Sequence, residues 1–202
     1  MGSVETHAET YKKGEQMNTP DDRYLVALET NAARALTFES YPAAPAIEGV
    51  WTQLLRKNRS ENGAFMEYLR LDENGVQNLP GSLEPRQISV SWAAPKRINA
   101  FHLHVKEIQN EIWCVLSGQL TVWLVDCRAS SATLNVKRKL VLSGEQPTMV
   151  HIPSGVAHGY QASDEGATLI YTMDAQFNLA DPNEGRLPWD YFGADLWDED
   201  RG

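Results

Sequence analysis

Two stretches of the chain place side chains that could do chemistry at short, regular spacing. The first is INAFHLHVKEIQNEIWCVLSG, residues 98–118; the second is IPSGVAHGY, residues 152–160. His102 and His104 stand two apart, with Phe101, Leu103 and Val105 between and around them. In a strand that alternation puts both imidazoles on one face. Glu111 follows His104 after six intervening residues and precedes Gly118 after six more, and His158 closes the turn that starts at Pro153 and Gly155. Three imidazoles and one carboxylate form an N3O donor set for one divalent transition ion, Fe, Mn, Ni or Zn, and His102, His104, Glu111 and His158 are the expected ligands. Glu107 is a rival carboxylate, but Glu111 keeps the six-residue spacing to Gly118. Tyr160, two residues beyond His158, shares its strand face and is a candidate catalytic and substrate-binding group. His151 alternates with Val150 and Ile152 and faces away from them. His7 lies in a polar leader segment and is discounted.

The rest of the chain must supply strands to carry these groups. VWTQLL (50–55) and AFMEYLRL (64–71) flank a polar, Gly-containing turn and predict a hairpin. In QISVSWAA, Ile88, Val90 and Trp92 alternate with Ser89 and Ser91, and Trp92, as an aromatic residue in a strand, is expected in the core. IWCVL and QLTVWLVD are split by Ser117 and Gly118, which predicts a two-residue turn between antiparallel strands. VKRKLVL, TMVHIP and ATLIYTMD continue the series, with no long helical pattern among them. Residues 22–38 could form a short helix or an irregular strand. Residues 1–20 are expected to be a mobile tail, and 21–202 one domain. The aromatic, Pro- and Gly-rich end, 178–202, is expected to pack as an irregular flap.

Bulk composition narrows the functional classes. The 202 residues carry 18 basic and 27 acidic side chains, a net charge of −9, which argues against a nucleic-acid partner. Met1 to Tyr24 lacks an apolar export core, and no run approaches the roughly 18–20 apolar residues of a membrane span. Cys114 and Cys127 lie in strand-like runs without metal spacing and fit a reducing compartment. A cytoplasmic protein acting on a small molecule, away from membranes, is the expectation.

The two stretches resemble the paired motifs of the cupins, His-x-His…Glu…Gly and Pro-x-Gly-x-x-His. The resemblance implies an all-β fold, a double-stranded β-helix or cupin jelly roll, with a short N-terminal extension and the C-terminal flap. Within the cupins the chain is similar to the dTDP-4-dehydrorhamnose 3,5-epimerase family, on IEGV, ENGAFMEYLRL, Gln87 with Ser91, IPSGVAHGY and DPNEGRLPWD. That likeness implies a homodimer, His102 as catalytic base, His158 as a second active-site histidine, and Glu67 and Gln87 as substrate-binding residues. Much of the family's machinery is replaced. Its two arginines fall on Asn62 and Asn99, its enolate-stabilising lysine on Glu111, its acid tyrosine on Gln176 or Phe177, and its late aspartate beyond Gly202. His104 stands where the family has glutamine.

Restored metal ligands and a missing enolate lysine together favour a metal-dependent cupin enzyme acting on a small oxygen-rich, carbohydrate-like or keto substrate, by enolisation or isomerisation, elimination or oxygen chemistry. The alternatives are a metal-free sugar-nucleotide epimerase like the family, and a non-catalytic ligand-binding cupin.

Overall fold

A computed structural model describes residues 25–77, 79 and 81–199. The expected tail, residues 1–20, lies outside the described residues. The chain divides into two units, Met1–Pro42 and Ala43–Gly202. In the first, helix α1 (Thr30–Ala35) is one short piece, capped by Glu29, whose carboxylate accepts from the backbone N–H groups of Asn31 and Ala32.

The second unit is built of strands. In chain order they are β1 (Trp51–Leu54), β2 (Lys57–Ser60), β3 (Gly63–Met66), β4 (Leu71–Asp72), β5 (Gly75–Val76) and β6 (Gln87–Ala93), then β7 (Ile98–Leu103), β8 (Glu111–Asp126), β9 (Lys137–Ser143), β10 (Thr148–Ile152), β11 (Val156–Met173) and β12 (Gly185–Arg186). One antiparallel sheet runs β1-β10-β8-β11-β7-β12, with β6 added to β11 and β9 to β8. This is the cupin jelly roll expected from the sequence. Among the described residues no helix is long and apolar enough to cross a membrane.

Three expectations are corrected. The predicted hairpin of 50–55 with 64–71 does not form. Trp51 to Leu54 pair instead with His151 to Thr148 on β10, and the polar segment between the two runs is itself a strand, β2, paired with β3. Alternating Trp51 and Gln53 can bury against a sheet edge, which the short polar β2 cannot offer. The Ser117–Gly118 turn is likewise no turn. β8 runs unbroken for 16 residues and bends there, with Gly118 at φ 68°, while β11 bulges opposite between Ala162 and Ala167. The N-terminal half of β8 pairs with β10 and the far half of β11, and its C-terminal half with β9 and the near half of β11.

The third correction concerns β6. Its apolar residues face out, Trp92 being 72% exposed, while Ser89 and Ser91 face in. The inner side opens on a polar cavity, so the hydroxyls take that face. The main core lies among Val115, Leu120, Val122, Leu124, Val150 and Ile152. The C-terminal flap is part of a core of its own. Trp197 is buried against Phe101 and Val125, and its indole donates to the Trp189 carbonyl.

A Cβ at position 118 would stand 2.0 Å from the Gly166 carbonyl oxygen and would force a positive φ on a residue that resists it. Gly118→Ala is expected to cost about 2–4 kcal/mol of unfolding free energy, measured by urea denaturation.

Candidate functional site

The pleat, the bend and one short C-terminal strand bring the chemistry together. β7 pairs with β11 so that His102 faces His158, and on its other edge β7 meets β12, with Arg186 beside His102 and Gly185 beside Leu103. Strand β7 ends at Leu103, so His104 lies past the last paired residue and no longer obeys the alternation. Asn183 holds it there. The Asn183 side-chain oxygen accepts from the backbone N–H groups of Val105 and Lys106, and its carbonyl accepts from His104 Nδ1 at 2.6 Å. Glu111 opens β8, fixed by Asn110, whose backbone and side-chain N–H groups both donate to Asp174.

His104, Glu111 and His158 are all buried, with one ligand-type atom of each within 4.8 Å of the others. They form a hydrogen-bonded ion pair beside a neutral ring. His104 donates from Nδ1 to the Asn183 carbonyl and from Nε2 to Glu111 Oε1 at 3.0 Å, so these two acceptors favour the doubly protonated ring; Gln109 Nε2 stands 3.3 Å from the same Nε2. Burial disfavours that charge, but the hydrogen bond and charge of Glu111 outweigh it and raise the His104 pKa. Burial would raise the Glu111 pKa too; the His104 hydrogen bond and the nearby imidazoles instead bring it down to about 2. Both carboxylate oxygens are occupied, Oε1 also by Gln109 and Oε2 by the Trp113 indole at 2.6 Å. His158 donates from Nδ1 to the Val156 carbonyl, and burial holds its pKa down to about 4, so it is neutral.

His102 stands apart from this cluster. Its Nδ1 is 3.4 Å from Glu184 Oε2, and its Nε2 is 3.0 Å from Asn99 Oδ1. The hydrogen bond to His102 lowers the Glu184 pKa against the opposing effect of burial, keeping a carboxylate beside the ring. His102, Asn99, Tyr171 and Glu184 line two adjoining cavities of about 360 and 80 Å³. The smaller reaches down to His104, Glu111, His158 and Tyr160; the larger opens past Gln87, Phe177 and Arg186. Together they fall in the size range of small-molecule sites.

Most of the residues picked out from the sequence therefore meet. Gln87 lines the larger cavity, bonded to Ser89 and to the Phe177 N–H. Tyr160 is buried at the floor, its hydroxyl taking the Asn99 side-chain N–H at 3.4 Å. Glu67 does not arrive. It is exposed, ion-paired with Arg70, and lines neither cavity within one chain. His151 is structural, stacked on Trp51 and bonded to the Gly49 carbonyl.

Tyr171, Glu184 and Arg186 were missed. Tyr171 lies beyond the bulge of β11, where alternation counted from His158 is broken, and β12 is two residues long, too short for any periodicity. Gln176 and Phe177, on which the family's acid tyrosine falls, line the larger cavity, and Tyr171 supplies a phenol to the same wall. Burial raises the Tyr171 pKa, so the phenol keeps its proton at neutral pH.

Residues 44–192 match the family described as dTDP-4-dehydrorhamnose 3,5-epimerase. The chain belongs to that family. It is 35% identical over 145 residues to the spore coat polysaccharide biosynthesis protein SpsL of Bacillus subtilis, covering 71% of this chain and 91% of that protein. A solved dTDP sugar isomerase from Desulfovibrio desulfuricans superposes with a TM-score of 0.64 at 25% identity, over 75% of this chain and 92% of its own. A 3'-monoepimerase from Streptomyces bikiniensis, solved with dTDP-quinovose, shares the fold at TM-score 0.64 and 21% identity, over 76% of this chain and 75% of its own.

Membership overturns the metal-dependent reading and its divalent ion, because the family consists of sugar-nucleotide epimerases that work without a metal. The donor set does not fit an ion either. His104 has no free lone pair, both Glu111 oxygens are taken, and His102 is engaged with Asn99 and Glu184. What the sequence pattern presents as four ligands is an ion pair, a neutral imidazole and a separate histidine.

The pair has a pH signature. His104, raised above 6.5, contributes stability that is complete below that value and is lost as pH rises through its folded pKa; Glu111, lowered from 4.5 to about 2, contributes stability lost between those values as pH falls. Glu111→Gln is expected to destabilise by about 3 kcal/mol near pH 6 and to remove the alkaline decline, read from urea unfolding between pH 5 and 9.

Proposed function

We propose that this chain is a sugar-nucleotide epimerase that inverts a carbon next to the ketone of a nucleotide-linked 4-keto sugar. The observation that carries this reading is His102, set between a carboxylate and a polar cavity whose wall also holds a protonated tyrosine, in a chain of this family. The C–H bond beside a ketone is acidic enough to be broken by a neutral imidazole held in place. In the reading, substrate displaces the Asn99 Oδ1 that faces His102 Nε2 at 3.0 Å, and the bared nitrogen of the neutral, Nδ1-protonated ring takes that proton. Nδ1–H, donating to Glu184, stabilises the imidazolium that results, as a carboxylate does for any histidine base. Tyr171 then delivers a proton to the opposite face of the same carbon, which inverts it. In the same reading, the nucleotide carried by the sugar leaves through the opening of the larger cavity, past Gln87, Phe177 and Arg186.

The cavity accounts for a small-molecule partner, and the net charge of −9 offers no attraction to nucleic acid. A homodimer is supported by β6. Among the described residues this edge strand pairs with β11 alone, and it presents Ile88, Val90 and Trp92 to solvent, all more than 40% exposed. Cys114 and Cys127, both free thiols, support a cytoplasmic location.

Incubated in D2O with a dTDP-4-keto-6-deoxyhexose, the protein should incorporate deuterium next to the ketone and yield the epimer. His102→Asn should slow incorporation by about 10²–10⁴-fold. Tyr171→Phe should keep much of the incorporation while losing inversion. Tight binding of the sugar nucleotide with no incorporation in the wild type would instead identify a ligand-binding cupin. Separately, Trp92→Glu is expected to shift sedimentation from dimer to monomer, and a wild-type monomer at ~10 µM would refute the dimer, since a stable interface of standard size holds well below that concentration.

A further inference from the structure

Removing a proton beside a ketone leaves negative charge on the carbonyl oxygen, and a cation or N–H donor fixed at that oxygen is what makes the step fast. The groups lining the two cavities can be taken in turn. His104 is charged, but its two N–H groups are spent on the Asn183 carbonyl and on Glu111. His158 is neutral, with its N–H on the Val156 carbonyl. The Asn99 amide donates to the Tyr160 hydroxyl. Among the described residues no lysine lines either cavity.

Arg186 remains. It stands on β12 opposite His102 in register and lines the larger cavity with it. Its Nη1 donates to Asn99 Oδ1 at 3.3 Å, and that same oxygen is 3.0 Å from His102 Nε2. One atom thus separates the guanidinium from the nitrogen that takes the proton. A ketone oxygen sits two bonds from the carbon being deprotonated, so a sugar placed on His102 brings that oxygen into the space where Arg186 reaches. Among the described residues the guanidinium makes no ion pair and no second hydrogen bond, which leaves its other N–H groups for a ligand.

Resting on the epimerase reading above, we propose that Arg186 is a catalytic residue: its guanidinium donates to the substrate's carbonyl oxygen and holds the enolate. As the C–H bond breaks, the proton goes to His102 Nε2. The freed electron pair forms the carbon–carbon double bond, and the carbonyl π pair moves onto the oxygen that Arg186 faces. Reprotonation at carbon by Tyr171 restores the ketone, so no oxidant or reductant is needed. A guanidinium is suited to this role because it stays charged at every working pH and can present two donors to one oxygen. Glu111 does not neutralise it, since both of its oxygens are already filled.

The test is deuterium incorporation beside the ketone of a dTDP-4-keto-6-deoxyhexose in D2O at saturating substrate, followed by NMR, with dTDP binding measured by calorimetry on the same proteins. Arg186→Met should lower the saturated rate by about 10²–10³-fold while the Kd for dTDP moves by less than about threefold, and Arg186→Lys should recover part of the rate. Because Arg186 is exposed, both variants should unfold at the wild-type urea midpoint; if Arg186→Met does not, the same readings on Arg186→Gln and Arg186→Lys decide. An unchanged rate overturns the proposal. So does a loss confined to dTDP affinity with the saturated rate intact, which would make Arg186 a phosphate clamp. No incorporation by the wild type overturns the epimerase reading itself, and the proposal with it.

Discussion

The long antiparallel pairing of β8 with β11 is the constraint from which the rest of the structure follows. Both strands cross from one half of the jelly roll to the other, and they can do so only because Gly118 bends one where the other bulges. The bend sends Glu111 and Tyr171 from one half, and His158 and Tyr160 from the other, toward a common cavity. A straight pair of strands would spread these groups along a single face, too far apart to act on one substrate. The scaffold and the site are therefore one feature, since the hydrogen bonds that hold the halves together also set the distances at the cavity floor.

At that floor the chain has made an exchange. Where the family resemblance implies glutamine and lysine, this chain has His104 and Glu111, and the two neutralise each other below the cavity. A buried ion pair of this kind is costly unless every remaining donor and acceptor is filled. Here Asn183, Gln109 and Trp113 fill them. The ion pair at the floor is consequently electrically balanced, with its N–H groups already engaged. The wall above it carries His102 with Glu184 on one nitrogen, Tyr171, and the strand that holds Arg186. The tail residues 178–197 thus line the cavity as well as the core, for they bring Asn183, Glu184 and Arg186 to β7 and bury Trp197 against Phe101.

Much was legible in the chain itself. Period-two patterning and the two motif stretches identified an all-β jelly roll, and the spacing of His102, His104, Glu111 and His158 marked where its polar centre lies. These are local facts, and local facts survive in a sequence. What four such residues do together is not local. One pattern of imidazoles and carboxylate can hold an ion or satisfy itself, and the choice rests on where the N–H groups of His104 point and on which neighbours reach Glu111. Gln109 and Trp113, which reach Glu111, stand only two residues from it, but Asn183, which takes the His104 N–H and donates to Gln109, comes from the other end of the chain.

The misplaced elements share a cause. A bend and a turn are both signalled by Ser-Gly, and only the pairing of β8 with β10 and β11 showed that the strand continues. The alternation in β6 correctly gave two faces, but which face turns inward depended on the polar cavity beneath it. Tyr171 was hidden by a bulge that breaks the count from His158, and Glu184 and Arg186 by a strand of two residues. The sequence by itself determined the fold class and the location of the polar cluster, because each is written in short-range spacing. Only the tertiary structure decided the charge state of that cluster, its closure to a metal, and the carboxylate and guanidinium near His102, because each depends on contacts between residues some 80 positions apart.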